Sequence, residues 1–424
     1  MQRRAHYGAL NSLSDSESFG NPSSKTHKSK GIKLKFNYHQ PTELLFGRGR
    51  VKELGEVARR FGNRVLLVTG KESPAVRGQF ELVKLILTEA GLEFAHFDGV
   101  IPNPTIESIA AGARMARELG AQSVIGLGGG SSMDSAKAIA VEATHEGSCW
   151  DYLFYKKAPT SATLPVIAVS TTSGTGSQVT QVAVITNPKT RDKSAIYHPN
   201  IFPKVSIVDP ELMVTLPPAV TRSTGFDVLC HAFESTLHPG CNPVIEPIAW
   251  DAIERVATDL PRVLADGANL DARESMAWAD TMGGYSIASA GVTLPHGIGM
   301  AIGGMYPRIA HGQSLAIVYP AFCQFTWKSA VPQFARLARI LDCSLESASD
   351  SDAAERSPAV VEIFLRKIEL RIGLADFDVP ESELDALARQ SAVLPDYKNN
   401  PRVATPLEML ILVHESFPAQ LERK

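Results

Sequence analysis

Val124-Ile-Gly-Leu-Gly-Gly-Gly-Ser-Ser-Met-Asp134 is an apolar run that stops at three consecutive glycines and resumes with small and hydroxyl residues. Its spacing predicts a strand over Ser123 to Leu127, a tight turn, and a helix over Ser131 to Ala140. Residues without Cβ let backbone close on a pyrophosphate, and the amides and dipole of a helix start favour its negative charge. Ser131 stands where the last glycine of a G-x-G-x-x-G pattern would be, so the stretch alone is equally an ordinary βα turn.

The flanking sequence places this turn in an alternating series. Leu34, Phe36 and Tyr38 alternate with polar residues as in a half-buried strand; Val51 to Phe61 reads as helix, Arg64 to Thr69 as strand, and Glu81 to Ala90 as helix. Strand-like Phe94 to Phe97 and helical Thr105 to Leu119 follow. Such alternation specifies a mostly parallel sheet covered by helices on both faces. A second polar, glycine-rich segment, Ser170-Thr-Thr-Ser-Gly-Thr-Gly-Ser177, follows the apolar strand Leu164 to Val169. Two such loops would meet at the carboxyl edge of the sheet, where α/β sheets bind nucleotides. After Asp209-Pro210 the character changes to long amphipathic helices: Ile245 to Leu264, Ala272 to Ser289, Ala330 to Leu341, Ala359 to Ile368 and Leu407 to Phe417. We therefore expect a leader at 1–32, an α/β dinucleotide-binding domain at 33–212, and a helical metal-binding catalytic domain at 213–424.

Composition narrows the class. The chain has 424 residues, 44% hydrophobic and 21% charged, with a formal net charge of -3 and dispersed basic residues. That balance leaves no electrostatic footprint for nucleic acid or an anionic membrane, and no apolar run reaches the roughly 18 residues a span needs. The leader is rich in Ser, Asn, Lys and His, has no apolar h-region, and reads as disordered. Five scattered cysteines without a C-x-x-C pair argue against a disulfide framework and for a reducing, cytoplasmic setting.

In Thr224-Gly-Phe-Asp-Val-Leu-Cys-His-Ala-Phe-Glu234, Asp227 and His231 are four residues apart, and His296 and His311 each precede a glycine. If the stretch is helical, Asp227 and His231 project from one face, one turn apart, while Cys230 points elsewhere. One carboxylate and three imidazoles suit a divalent metal, although any one of these histidines alone would more often be a structural residue.

Three segments together carry a family resemblance. Gly128-Gly-Gly-Ser-Ser-Met-Asp-Ser-Ala-Lys137, Thr171-Thr-Ser-Gly-Thr-Gly-Ser-Gln-Val-Thr180 and Ser223-Thr-Gly-Phe-Asp-Val-Leu-Cys-His-Ala-Phe-Glu234 resemble the cofactor loop, the nicotinamide-side loop and the metal helix of the iron-dependent (group III) alcohol dehydrogenases. The match runs from about Thr42 to the C-terminus. It implies a Rossmann-like N-terminal domain followed by an all-α metal-binding domain, the fold shared with dehydroquinate synthase, with catalysis in the cleft between them. It also implies a metal held by Asp227, His231, His296 and His311, either Fe(II) or Zn(II), acting as a Lewis acid on the substrate oxygen while hydride passes between NAD(P)(H) and a small alcohol or aldehyde. Cofactor contacts are implied at Gly128, Gly129, Gly130, Ser131 and Asp134, at Thr171, Thr172, Thr175 and Thr180, and at Lys193 beside a ribose. A homodimer is the expected assembly.

The chain departs from that pattern at four places. Met300 occupies the position of a histidine that relays the alcohol proton in many members, so proton release is expected to pass through solvent. The segment Gly304-Met-Tyr-Pro-Arg-Ile-Ala310 is one residue longer than usual; Arg308 or Tyr306 in it would meet a polar substrate, or Arg308 would face solvent. Thr69-Gly70-Lys71-Glu72-Ser73 lacks the aspartate that NAD-preferring members present to the ribose, so Gly70, Lys71 and Ser73 are expected to accept a 2'-phosphate, favouring NADP(H) over NAD(H), with Glu72 as the counterargument. Gln178 stands where many members have glutamate.

The leading expectation is a metal- and NAD(P)-dependent alcohol dehydrogenase or aldehyde reductase. Alternatives on the same scaffold are a hydroxyacid-oxoacid transhydrogenase, a phosphonoacetaldehyde or maleylacetate reductase, and a dehydroquinate synthase-like lyase. A binding protein without turnover is the non-enzymatic reading.

Overall fold

The computed structural model describes residues 35–417, so the leader expected at 1–32 lies outside the described residues. The N-terminal part is built on a six-stranded sheet ordered β1-β8-β5-β4-β2-β3, every pairing parallel. Its strands are β1 (Glu43–Phe46), β2 (Arg64–Gly70), β3 (Glu93–Val100), β4 (Ser123–Gly128), β5 (Val166–Ser170) and β8 (Val205–Val208). The helices α1 (Leu54–Arg59), α2 (Arg77–Glu89), α3 (Ile106–Leu119) and α4 (Gly130–Glu142) connect them, and β6 (Val182–Asn187) and β7 (Asp192–Tyr197) form a separate antiparallel hairpin.

Side-chain alternation along the strands explains the layers. Val65, Leu67, Ile125, Leu127, Ile167 and Val169 pack with α1 and α2, while Leu66, Val68, Val124 and Val166 pack with α3 and α4. Each central strand thus feeds two cores through a period of two, which is why it reads as a continuous apolar run. The strand expected from Leu34, Phe36 and Tyr38 does not form. Residues 35–42 belong to no element, and Phe36 and Tyr38 are 40% and 44% exposed, because neither lies against a sheet edge.

Chain order reverses between β2 and β4: β3 lies beyond β2 on one side and β5 beyond β4 on the other. A crevice at the carboxyl ends of these strands is the place such a sheet offers a dinucleotide.

The sheet ends at Val208, and the rest of the described chain is helical: α5 (Pro218–Leu237), α6 (Ile245–Ala265), α7 (Leu270–Ser289), α8 (Leu294–Met305), α9 (His311–Thr326), α10 (Val331–Leu341), α11 (Asp350–Lys367), α12 (Leu384–Ser391) and α13 (Pro406–Glu415). One apolar core joins them. Helix α5 is its centre and is buried from Gly225 through Leu237. A helix enclosed on all sides carries no amphipathic stripe, so periodicity singles out α6 and α10 but passes over α5, α8 and α9.

Candidate active site

Helix α5 presents Asp227 and His231 one turn apart, His296 sits in the first turn of α8, and His311 opens α9. Their ligand atoms all lie within 4.8 Å of one another. From Asp227 Oδ1 the distances are 3.5 Å to His231 Nε2, 3.7 Å to His296 Nε2 and 3.9 Å to His311 Nε2. These are too long for hydrogen bonds but close to the edges, about 3.4 Å, of a tetrahedron with metal bonds of about 2.1 Å. Asp227 Oδ1 and His296 Nε2 are buried with no hydrogen-bond partner, the state expected of atoms aimed at a cation. Cys230 turns away into the helical core.

The outer contacts orient the rings. Glu234, one helical turn after His231, accepts from His296 Nδ1 at 2.8 Å and from the Thr293 amide at 2.8 Å. His231 Nδ1 donates to the Gly174 carbonyl at 3.1 Å, since a carbonyl can only accept. Both imidazoles therefore keep Nε2 free to face the centre. Burial opposes ionisation of Asp227, yet the surrounding imidazoles hold its carboxyl at about 2. Burial likewise opposes charge on His296, but Glu234 and Asp227 outweigh it and push the ring up to about 10. His231 is lowered and His311 lowered strongly, both by burial. The cluster is arranged to hold positive charge at its centre.

A cleft of about 240 Å3 runs from this cluster to the glycine loop. Gly130, Ser131, Asp134, Thr175, Thr180 and Lys193, all expected at the cofactor, line it with the four metal-site residues. Gly128 has φ 145° and Gly129 precedes the first residue of α4. A Cβ on Gly130 would stand 2.7 Å from Thr175 Cγ2, so the two loops approach only because this position is glycine. Thr172 Oγ1, beside Gly129, is buried without a partner, and it and the bare backbone around it suit a polar ligand such as a nicotinamide dinucleotide.

The remaining expected cofactor residues stand elsewhere. Gly70 ends β2 and Lys71 and Ser73 follow it at the sheet's carboxyl edge; none of the three lines the cleft, and Lys71 and Ser73 are exposed. Thr171 donates its amide to the Gly128 carbonyl at 3.0 Å, tying one loop to the other. Asp134 accepts from Ser177 Oγ at 2.6 Å and the Val184 amide at 3.0 Å, so it also anchors the β6–β7 hairpin.

The glycines of the second loop answer to packing. A Cβ on Gly174 would lie 2.4 Å from Thr224 Cβ, and one on Gly176 would lie 2.4 Å from Gly284 Cα. The loop is pressed against α5 and α7, joining the sheet to the metal helix. Arg308 and Tyr306 do not line the cleft: Arg308 bonds the Phe377 and Asp378 carbonyls, and the Tyr306 hydroxyl donates to Glu383 at 2.8 Å. Their substrate-facing reading fails because the longer loop folds outward onto the segment before α12.

Sequence reasoning missed Lys137, Asn103, Tyr197 and Asp396. Lys137 is fully buried and donates to the Ser177 and Val182 carbonyls at 2.7 Å each. Asn103 adopts φ 56° and accepts from Lys193 Nζ at 2.8 Å. The hairpin carrying Lys193 and Tyr197 was detectable in principle, from apolar runs on either side of the Asn187-Pro188 turn.

Comparison with known proteins agrees with this architecture. The profile of iron-containing alcohol dehydrogenase matches residues 41–210, and that of the Fe-containing alcohol dehydrogenase family, C-terminal, matches residues 221–417. The NAD-dependent methanol dehydrogenase of Bacillus methanolicus is 33% identical over 369 residues, 87% of this chain and 96% of that protein. The 1,3-propanediol dehydrogenase of Klebsiella pneumoniae is 33% identical over 90% of this chain and 99% of its own length. An archaeal halo-thermophilic alcohol dehydrogenase from a Red Sea brine pool superposes with a TM-score of 0.87 at 34% identity, covering 91% of this chain and 100% of that one. The chain belongs to the iron-containing alcohol dehydrogenase family and is a metal-dependent alcohol dehydrogenase.

Proposed function

We propose that Asp227, His231, His296 and His311 hold a divalent metal, Fe(II) with Zn(II) as the alternative, and that the cleft above them reduces a small aldehyde or oxidises the matching alcohol. The observation that carries this is the convergence of four ligand atoms within 4.8 Å at one end of a cleft whose other end is the glycine loop. When bound, the metal supplies Lewis acidity to the substrate oxygen, and the nicotinamide cofactor supplies or accepts the hydride. The protein's own part is positional. Glu234 and the Gly174 carbonyl fix two imidazoles; the amides opening α4 favour a pyrophosphate; Lys193 serves a ribose; and Met300, buried in the cleft wall, narrows the substrate space without moving a proton.

NADP(H) is the proposed cofactor over NAD(H). Glu72, the one carboxylate that argued otherwise, bonds Arg77 Nε at 2.7 Å, which offsets its charge and leaves Lys71 and Ser73 for a 2'-phosphate. The domain division at 33–212 and 213–424 remains our reading, supported by the change from sheet to helices between Val208 and Pro218. We further propose a homodimer in a reducing, cytoplasmic setting, in keeping with five free cysteines.

A dehydroquinate synthase-like lyase would need basic residues around its phosphate. Among the described residues Lys193 is the only lysine or arginine lining the cleft. The test is reconstitution of metal-free protein with Fe(II) or Zn(II) under anaerobic conditions, following NADPH and NADH oxidation with short aldehydes. Metal-dependent oxidation with NADPH ahead of NADH is expected. A strong NADH preference overturns the cofactor assignment, and no oxidation with any combination overturns the activity.

A further inference from the structure

One carboxylate in the cleft is used neither by the metal cluster nor by the cofactor wall. Asp396 lies in the turn Pro395–Asn399, which packs on the first turn of α8. A Cβ on Gly297 would stand 3.6 Å from the Tyr397 nitrogen. This contact sets Asp396 beside the helix that carries His296 and Met300, and all three residues line the cleft. Asp396 is half-buried. Burial pushes its carboxyl above the usual carboxylate range; His296 acts against that rise and Glu234 adds to it. Among the described residues no lysine or arginine ion-pairs with it. Away from the two loops the lining is mainly apolar, with Ile287, Val292, Met300 and Leu394.

A carboxylate in a mainly apolar wall, with no lysine or arginine paired to it, attracts a cation more strongly than it would in water and repels an anion by the same physics. We propose that Asp396 selects the substrate: it receives the ammonium head of a small amino alcohol, or of the corresponding amino aldehyde, and disfavours carboxylate- and phosphonate-bearing substrates. This rests on the reading of the cleft as that of an alcohol dehydrogenase. A neutral second hydroxyl makes a weaker hydrogen bond to the same oxygen than a charged donor does.

The experiment compares kcat/KM for 3-amino-1-propanol, 1,3-propanediol, 1-propanol and 3-hydroxypropanoate in the metal-loaded enzyme, its Asp396→Asn variant and its Asp396→Ser variant. Wild type is expected to rank the amino alcohol first and the hydroxy acid last. In Asp396→Asn the ratio of amino alcohol to 1-propanol is expected to fall at least tenfold, and that of hydroxy acid to 1-propanol to rise. Ratios that do not move in either variant overturn the proposal, and a diol ranked above the amino alcohol overturns its ammonium arm. If no alcohol is turned over, the dehydrogenase reading has failed, and Asp396 is then read from binding. Calorimetry with 3-amino-1-propanol and cofactor should show at least tenfold weaker binding in Asp396→Asn, and equal binding in both proteins overturns the assignment.

Discussion

Gln178 donates its side-chain amide to Asp280 Oδ2 at 2.8 Å, across the junction between the second glycine loop and α7. Asp280 Oδ1 accepts the Gly176 amide at 2.8 Å, and Gly174 in the same loop accepts from His231. The substitution at Gln178 therefore changes a buried anchor of the loop that touches the metal helix. A glutamate here would face a carboxylate that burial already pushes up to about 7. Gln178→Glu should create a pair that holds one proton, with its folded pKa above the unfolded value. Stability is then retained at low pH and lost as pH rises through the pair's pKa. We expect similar urea midpoints for the two proteins at pH 5 and a deficit of about 3 kcal/mol in the variant at pH 8.

Gly312 follows His311, and a Cβ there would fall 2.0 Å from the Ser223 carbonyl oxygen. Both atoms are backbone-fixed, so α9 must shift away from α5. Gly312→Ala should lower stability by about 2–3 kcal/mol and move His311 off Asp227. Denaturant unfolding, together with metal content by mass spectrometry, reads both effects; normal metal content would show that His311 had not moved.

Glu234 holds the tautomer of His296 without being one of the four proposed ligands. Glu234→Gln should weaken metal affinity by about 10–100-fold, measured by competition with a chromophoric chelator, with the circular dichroism spectrum preserved.

Lys193 is buried, and burial lowers its ammonium to about 8. It carries its charge below that pH and loses it above. Binding of an anionic dinucleotide should therefore weaken as pH rises through about 8, in fluorescence titrations from pH 6.5 to 9.5. Lys193→Met should flatten that step.

Met300 lies in the cleft wall, and its thioether transfers no proton. Met300→His is expected to raise kcat and to add an ionisation to the pH-rate profile. An unaltered profile would count against solvent-mediated proton release.

Most of the α/β half was legible because its strands are buried on both faces and its helices are not. Arg64 to Thr69 and Ser123 to Leu127 match β2 and β4 to within a residue. Helix α2 begins at Arg77, before the Glu81 at which periodicity is read, because its first turn offers only Phe80; α11 begins at Asp350 rather than Ala359, because its first turn is polar. The strand expected at Phe36 and Tyr38 failed for the opposite reason, since alternation without a sheet edge produces no strand.

What the sequence determined by itself was the order of chemical parts: a glycine turn on a strand, a hydroxyl-rich loop, and a carboxylate and imidazole one helical turn apart. These rest on local spacing, which the backbone converts directly into geometry. Tertiary structure alone decided the rest. His296 and His311 meet Asp227 because the fold brings the first turns of α8 and α9 beside α5, and Asp396 reaches the same cleft from a turn far along the chain. The glycines of the second loop prove to be spacers against Thr224 and Gly284. Contacts between residues distant in sequence depend on how helices pack, and packing follows the filling of a shared core rather than any local pattern.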